Sequence, residues 1–127
     1  MKKNLGIIGT VNSGKSSKLK ELLDILMQEK GKDIYILEPK YCEFNNVEGE
    51  NVKLVTKDIE ELVATIKDRE KSIVLVDELD YYKGKDDNYI YLMSNFNVLY
   101  TSHEPLIEPF VSLPFEGINK NILEIVK

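Results

Sequence analysis

The sequence predicts an α/β fold in which helices cover both faces of a mainly parallel sheet. Short apolar runs alternate with segments of helical periodicity along the chain, which is the pattern of parallel strands joined by right-handed crossover helices. The segment 72–76, S-I-V-L-V, forms a continuous apolar run, as expected for a central strand that is covered on both faces. A glycine-containing loop separates the first apolar run from the first helical segment, so strand, loop and helix follow in the order of an α/β unit.

The individual elements follow from local periodicity and from the positions of glycine and proline. We expect strands at residues 5–8, 33–37, 51–56, 72–76, 97–101 and 122–126. We expect helices from the glycine loop to about residue 29, at 57–70 and at 86–95, with apolar residues on one face. Gly31 is placed to stop the first helix, and Pro39 to close the second strand.

Length and composition restrict the class of protein. The chain has 127 residues and a formal net charge of −5, which suits one compact domain spanning residues 1–127. Its lysines are spread rather than clustered, so nucleic-acid binding is not indicated. The first apolar run is too short for a secretory signal and no segment is long enough to cross a bilayer, so no membrane association is expected. Cys42 is the only cysteine, which favours a reducing, cytoplasmic location and excludes zinc sites built from paired cysteines.

Residues 9–16 read G-T-V-N-S-G-K-S and match the phosphate-binding pattern G-x-x-x-x-G-K-[ST] at every fixed position. In such a loop the backbone N–H groups point at phosphate oxygens, and the following helix adds the positive end of its dipole. Lys15 would place a charge near the β- and γ-phosphates, and Ser16 a hydroxyl on Mg²⁺. The sequence therefore predicts a P-loop NTPase fold, RecA-like with three α/β/α layers, that binds ATP and Mg²⁺. The predicted nucleotide-binding residues are Gly9, Thr10, Val11, Asn12, Ser13, Gly14, Lys15, Ser16 and Ser17.

Two adjacent carboxylates follow the continuous apolar strand. Asp77 is predicted to hold Mg²⁺, directly or through a water molecule. Glu78 points differently because strand side chains alternate, so it can face the γ-phosphate and accept a proton from an attacking water or hydroxyl. The alternative is an acidic turn with no function after a buried strand. Together with Lys15, Glu78 is the predicted catalytic residue.

An acidic pair of this kind is associated with P-loop proteins in which an extra strand separates the loop strand from the acidic strand. The segment 97–101 is predicted to be that strand, with Thr101 and His103 at its end near the γ-phosphate. A histidine there can donate a hydrogen bond to phosphate or relay a proton. An equally good interpretation of His103, the only histidine, is a loop residue that is hydrogen-bonded to backbone.

These motifs resemble the type II thymidine kinases along nearly the whole chain. The family has a G-P-M-F-S-G-K-[ST] loop before a T-E-L-L-like helix, and this chain reads G-T-V-N-S-G-K-S-S-K-L-K-E-L-L from residue 9. Where the family has K-P after the second strand and I-D-E-x-Q-F-F at the acidic strand, this chain has E-P at 38–39 and V-D-E-L-D-Y-Y at 76–82. A late family segment, [KE]-P-F-x-x-[IV]-P, is matched by E-P-F-V-S-L-P at 108–114.

The resemblance implies Lys15 on the phosphates, Ser16 and Asp77 on Mg²⁺, and Glu78 as the base toward a nucleoside hydroxyl. It places Tyr81 near the substrate, although an aromatic residue filling a seam of the core is the alternative. A nucleoside kinase would need a second pocket beside the γ-phosphate, near Tyr81, Tyr82 and His103. The chain also departs from the family. It has no C-x-x-C pairs for the zinc-bound lasso, so no zinc is expected, and no Asp-x-Arg follows the second strand.

Three functions fit the sequence. The first, which we favour, is a Mg-ATP-binding NTPase with slow hydrolysis or phosphoryl transfer. Arg69 is the single arginine, so an arginine finger in cis is this residue or does not exist, and turnover without one is slow. A partner chain or a neighbouring subunit is the other source of the missing charge. The second is a nucleoside or thymidine kinase with a reduced lid at residues 104–117, which would take a nucleoside substrate. The third is a non-catalytic nucleotide-binding switch or interaction module. The family precedent also suggests a homo-oligomer.

Overall fold

The computed structural model describes residues 4–9, 14–28, 31–40, 44–82 and 88–103. In chain order its strands are β1 (Asn4–Ile8), β2 (Asp33–Leu37), β3 (Val52–Thr56), β4 (Ser72–Val76) and β5 (Asn97–Ser102). Its helices are α1 (Lys15–Gln28), α2 (Ile59–Thr65) and α3 (Asn88–Asn95), and a 3-10 turn spans Leu79–Tyr81. The strand predicted at 122–126, the segment 104–117 and Cys42 lie outside the described residues.

The five strands form one parallel sheet in the order β1-β5-β4-β2-β3. The fifth strand therefore lies between the strand that precedes the glycine loop and the strand that precedes Asp77, as predicted for the segment 97–101. Because all pairings are parallel, the carboxyl ends of all five strands lie along one edge of the sheet. We call this edge the carboxyl edge, and ligands of such sheets bind there.

Two apolar cores lie on opposite faces of the sheet, which confirms the predicted α/β architecture. One core joins the buried face of α1 to the sheet side chains that point toward it. The other joins α2 and α3 to the opposite face. Alternation along β4 divides its residues between the two cores, with Ile73 and Leu75 in the first and Val74 and Val76 in the second. This double coverage is why the β4 sequence is a continuous apolar run.

Helix α2 is shorter than the predicted helix at 57–70, because it begins at Ile59 and ends at Thr65. The hydroxyl of Thr65 donates to the carbonyl of Glu61, a back-bond that disfavours helix continuation. Beyond it, the carboxylate of Asp68 accepts hydrogen bonds from the backbone N–H groups of residues 70 and 71. Asp68 thus stabilises a turn in place of the last predicted helical turn.

Gly6 lies where the ring of Tyr100 crosses β1. The two residues are register partners on neighbouring strands, and a Cβ atom on Gly6 would lie 2.5 Å from Cζ of Tyr100. Gly31 lies beyond the end of α1 at Gln28 and has a φ of +92°, a conformation that is common just after helices. Residues 29 and 30 lie outside the described residues, so the role of Gly31 in ending the helix stays a prediction. Among the described helices, none is long and apolar enough to cross a membrane.

Candidate functional site

Gly9, Gly14 and the start of α1 lie at the carboxyl edge. The backbone N–H of Gly9 donates to the carbonyl of Ser102 at 3.1 Å, which extends the pairing of β1 and β5 by one residue. Gly14 has a φ of +91°, a conformation that glycine adopts readily, and its carbonyl accepts the N–H of Lys18 in the first helical turn. Lys15 is buried, with 8% of its surface exposed. Thr10, Val11, Asn12 and Ser13, also predicted to bind nucleotide, lie outside the described residues.

Ser16 and Asp77 come together across the site. The hydroxyl Oγ of Ser16 donates to both carboxylate oxygens of Asp77, each at 3.0 Å. The Asp77 side chain is 2% exposed, and its backbone N–H donates to the carbonyl of Leu37 on β2. The first turn of α1 and the end of β4 are thus in direct contact, as the predicted pairing of these two residues requires.

Thr101 connects both acidic residues to β5. Its hydroxyl Oγ1 donates to Oδ1 of Asp77 at 2.7 Å and accepts the backbone N–H of Glu78 at 2.8 Å. Thr101 is fully buried. The hydroxyl therefore orients Asp77 and Glu78, which follow β4 and which we call the acidic strand end. Contact of Thr101 with a phosphate stays a prediction.

Glu78 has an unusual backbone conformation for a side-chain-bearing residue. Its φ and ψ are 58° and 59°, and among the described residues it is the single non-glycine residue with a positive φ. This left-handed conformation costs about 1–2 kcal/mol, and such strained residues cluster at functional sites. Its carboxylate Oε1 lies 3.2 Å from Nζ of Lys40, in the segment after β2.

A hydrogen bond joins the residue that follows β5 to the 3-10 turn. The backbone N–H of His103 donates to Oδ2 of Asp80 at 2.9 Å. His103 itself is exposed. Its imidazole thus lies at the carboxyl edge, where the sequence places it, and its proposed contact with phosphate stays a prediction.

Tyr81 and Tyr82 occupy different environments although they are adjacent. Tyr81 is 53% exposed, whereas Tyr82 is 4% exposed and belongs to the core beneath α2 and α3. The two rings meet edge to face with centroids 5.1 Å apart, and the hydroxyl of Tyr82 donates to the carbonyl of Lys57 at 2.9 Å. Burial is the main reason why the pKa of Tyr82 is raised above its ordinary value. Of the pair, Tyr81 is the one whose ring faces solvent, and a substrate-side role remains a prediction for both.

The oxygen atoms at this junction fit a magnesium ion chemically. Mg²⁺ prefers hard oxygen ligands, and it commonly takes only one or two of them from the protein. The Ser16 hydroxyl and the Asp77 carboxylate are such ligands and already lie within hydrogen-bonding distance. Within the described ranges, no group of three or more histidine, cysteine, aspartate or glutamate residues is arranged to hold a metal ion.

Arg69 lies at the opposite edge of the sheet. Its carbonyl accepts the N–H of Ser72 at the start of β4, and its guanidinium donates to Oδ1 of Asn95. Five residue steps separate Ser72 from Asp77, which is roughly 16 Å of extended strand. The guanidinium is therefore directed away from the carboxyl edge of its own chain.

Comparison with known proteins supports the fold class and no finer assignment. No protein-family model matches the sequence, and the search of curated proteins found no match. Among solved structures, the chain is similar to the X-ray structure of the Legionella pneumophila ATPase DotB, with a TM-score of 0.50 and 15% sequence identity. The match covers 84% of this chain and 31% of DotB, so the chain spans about a third of that protein's length. The fold is that of P-loop NTPases, whereas membership of the thymidine kinase family is not shown.

Sequence reasoning missed two members of the site. Lys40 receives no role from the sequence, because its approach to Glu78 depends on the pairing of β2 with β4. Asp80 receives none either, although its carboxylate accepts a hydrogen bond from the backbone N–H of His103. A lysine just beyond a strand that neighbours the acidic strand is the signal that would have pointed to Lys40.

Proposed function

We propose that the chain is a Mg-ATP-binding P-loop NTPase with slow basal hydrolysis or phosphoryl transfer. The observation that carries the proposal is the contact between Ser16 and Asp77, which are 61 positions apart in sequence. A hydroxyl at the first turn of α1 and a buried carboxylate just after β4 form a pair of oxygen groups that would hold Mg²⁺ beside a bound nucleotide. The P-loop fold supports the same proposal.

In this proposal each residue has a stated task. Backbone N–H groups of residues 9–17 and the N-terminus of α1 bind the phosphates, and Lys15 neutralises charge on them. Ser16 and Asp77 hold Mg²⁺, which polarises the phosphate when bound. Glu78 accepts the proton of the attacking water. Basal turnover is slow because Arg69, at the opposite edge, supplies no arginine finger in cis, and such a finger can raise the rate about 10³–10⁵-fold.

The test combines binding with turnover. Binding of ATP and Mg²⁺ should raise the melting temperature of the wild type, since a ligand at about a hundredfold excess over its Kd stabilises the fold by ~2.7 kcal/mol. The rise should vanish in Lys15→Ala, and Glu78→Gln should bind ATP but hydrolyse it more slowly than wild type. A rise that persists in Lys15→Ala removes the glycine loop from the proposal. Equal hydrolysis by wild type and Glu78→Gln removes the catalytic role of Glu78.

A nucleoside kinase is the second candidate, and the exposed ring of Tyr81 beside the acidic residues favours it. Stacking of a nucleobase on this ring would place a nucleoside next to the transferred phosphate. The candidate predicts a labelled product when a nucleoside is incubated with γ-labelled ATP. Label that appears only as inorganic phosphate with every nucleoside leaves water as the acceptor and rejects the kinase.

A further inference from the structure

Glu78 is engaged by a cation of its own chain. Nζ of Lys40 lies 3.2 Å from Oε1 of Glu78, and the two side chains are 68% and 32% exposed. Lys40 belongs to the segment that follows β2, and β2 flanks β4 on the side opposite to β5. Ser16 approaches Asp77 from the other direction, because it follows β1, which lies beyond β5. The ion pair therefore draws the Glu78 carboxylate toward the β2 side of the site.

Glu38 and Phe44, which precede and follow Lys40 in the chain, are hydrogen-bonded to each other. Glu38, at the end of β2, is 1% exposed, and its carboxylate accepts the backbone N–H of Phe44 at 3.0 Å. Phe44 is fully buried in the core beneath α1. A buried hydrogen bond between a carboxylate and a backbone N–H resists opening, because a buried donor that loses its acceptor costs free energy. Lys40 thus lies two positions after a residue that is fixed in the interior.

We propose that Lys40 is a positioning residue that holds the Glu78 carboxylate on the β2 side and thereby keeps the basal rate of ATP hydrolysis low. The proposal rests on the proposed function, in which Glu78 is the general base. A general base must lie within hydrogen-bonding reach of the water that it deprotonates, so hydrolysis requires the ion pair to open. Because exposed ion pairs are weak, the Lys40–Glu78 ion pair lowers the rate of ATP hydrolysis only a few-fold. A partner that draws Lys40 away from Glu78 would restore the higher rate.

The experiment compares the steady-state ATP hydrolysis of three variants with that of the wild type. Lys40→Met removes the charge at similar length, and its kcat should rise about two- to fivefold, the range that an exposed ion pair allows. Lys40→Arg keeps the charge and should return kcat to the wild-type value. Lys67→Met removes the charge of an exposed lysine just beyond α2, and it should leave kcat unchanged. The KM for ATP should stay the same in all four proteins.

Two further measurements establish that Lys40 acts through Glu78. In the Glu78→Gln background, adding Lys40→Met should change the rate no further, because the double-mutant cycle isolates the coupling of the two side chains. Added salt screens exposed charges, so the ratio of Lys40→Met to wild-type kcat should fall toward one as salt is raised. A purely structural role for Lys40 would give neither result.

The outcomes separate this proposal from the proposed function. If Lys40→Met hydrolyses ATP no faster than the wild type, Lys40 does not restrain Glu78. A rate below that of the wild type would instead assign Lys40 as a cation that assists the reaction. A wild type whose melting temperature does not respond to ATP and Mg²⁺ overturns the proposed function itself. A nucleotide-responsive wild type with an unchanged Lys40→Met rate overturns only the role of Lys40.

Discussion

The hydroxyl of Thr101, at the end of β5, donates a 2.7 Å hydrogen bond to the carboxylate of Asp77, at the end of β4. The same oxygen accepts the backbone N–H of Glu78, so one buried hydroxyl fixes both residues of the acidic strand end. The neighbouring strand β5 therefore does more than separate β1 from β4. It sets the position of the carboxylate that meets Ser16.

Replacement of Thr101 should distinguish this bonding from packing. Thr101→Val is isosteric but cannot donate to Asp77 or accept from Glu78, so we expect the free energy of unfolding to fall by about 2–4 kcal/mol. Thr101→Ser keeps the hydroxyl and should cost about 1 kcal/mol for the lost methyl group. Urea denaturation measures both changes. A Thr101→Val protein as stable as the wild type, together with a loss in Thr101→Ser, would assign the contribution of Thr101 to its methyl group.

Gly6→Ala tests the close approach of two neighbouring strands. The added Cβ would lie 2.5 Å from Cζ of the Tyr100 ring, which is fully buried. Overpacking of this kind costs about 1–3 kcal/mol of unfolding free energy. Gly49→Ala is the matched control, because its nearest obstacle is the flexible methyl end of Met27. A Gly6→Ala protein as stable as Gly49→Ala would show that β1 and β5 separate easily.

The elements of the fold could be predicted from the sequence, whereas the contacts of Gly6 and Lys40 could not. The five described strands, the acidic strand end and its meeting with α1 follow from patterns within short windows, namely apolar runs and the G-x-x-x-x-G-K-S spacing. Gly6 opposite Tyr100 depends on the register of two strands more than ninety positions apart in sequence, as Lys40 beside Glu78 depends on strand order. No local pattern encodes such pairings. The early end of α2 could not be predicted because the helical periodicity of the sequence continues past Thr65, where the Asp68 side chain stabilises a turn instead.

Tyr82 should make the free energy of unfolding fall as the pH becomes alkaline. Burial, then Tyr81 and the carboxylates of Glu38 and Asp58, raise the pKa of its phenol above the ordinary value of about 10. The unfolded chain therefore releases this proton at lower pH than the folded protein. The contribution is fully present below about pH 10 and is lost as pH rises toward the folded pKa, with a slope of up to about 1.4 kcal/mol per pH unit.

The variant Tyr82→Phe should reduce this slope. At about pH 7 it should cost roughly 1 kcal/mol, because the carbonyl of Lys57 loses its donor. Above about pH 10 its unfolding free energy should fall less steeply than that of wild type. Burial also raises the pKa of Tyr35 and Tyr89, so part of the fall should remain. Urea denaturation across this range measures both slopes, and parallel curves would contradict the role of Tyr82.

Arg69→Lys should leave ATP hydrolysis unchanged within about twofold, because the guanidinium pairs with Asn95 at the edge opposite the candidate site. The ring of Phe96 lies 5.9 Å from the guanidinium carbon, so a small loss of stability is expected instead. Lys15→Ala, which should abolish hydrolysis, is the positive control. A large loss of activity in Arg69→Lys would mean that a second copy of the chain supplies this arginine. Such a loss should then depend on protein concentration.

Ser16→Ala tests the proposed magnesium site, and Ser17→Ala serves as its control. Ser16 bonds to both oxygens of Asp77, whereas Ser17 is exposed. Without the Ser16 hydroxyl, one oxygen ligand of Mg²⁺ is lost, and we expect affinity for Mg-ATP to fall on the order of tenfold or more.

The measurement is the melting temperature with ATP, with and without Mg²⁺, compared within each variant so that a change in intrinsic stability cancels. Ser17→Ala and Ser16→Thr should keep the Mg²⁺-dependent difference, because the first leaves the ligand pair intact and the second retains a hydroxyl. In Ser16→Ala that difference should shrink while the response to ATP alone remains. A full Mg²⁺-dependent difference in Ser16→Ala would place the ion elsewhere, and the contact between α1 and β4 would then be structural only.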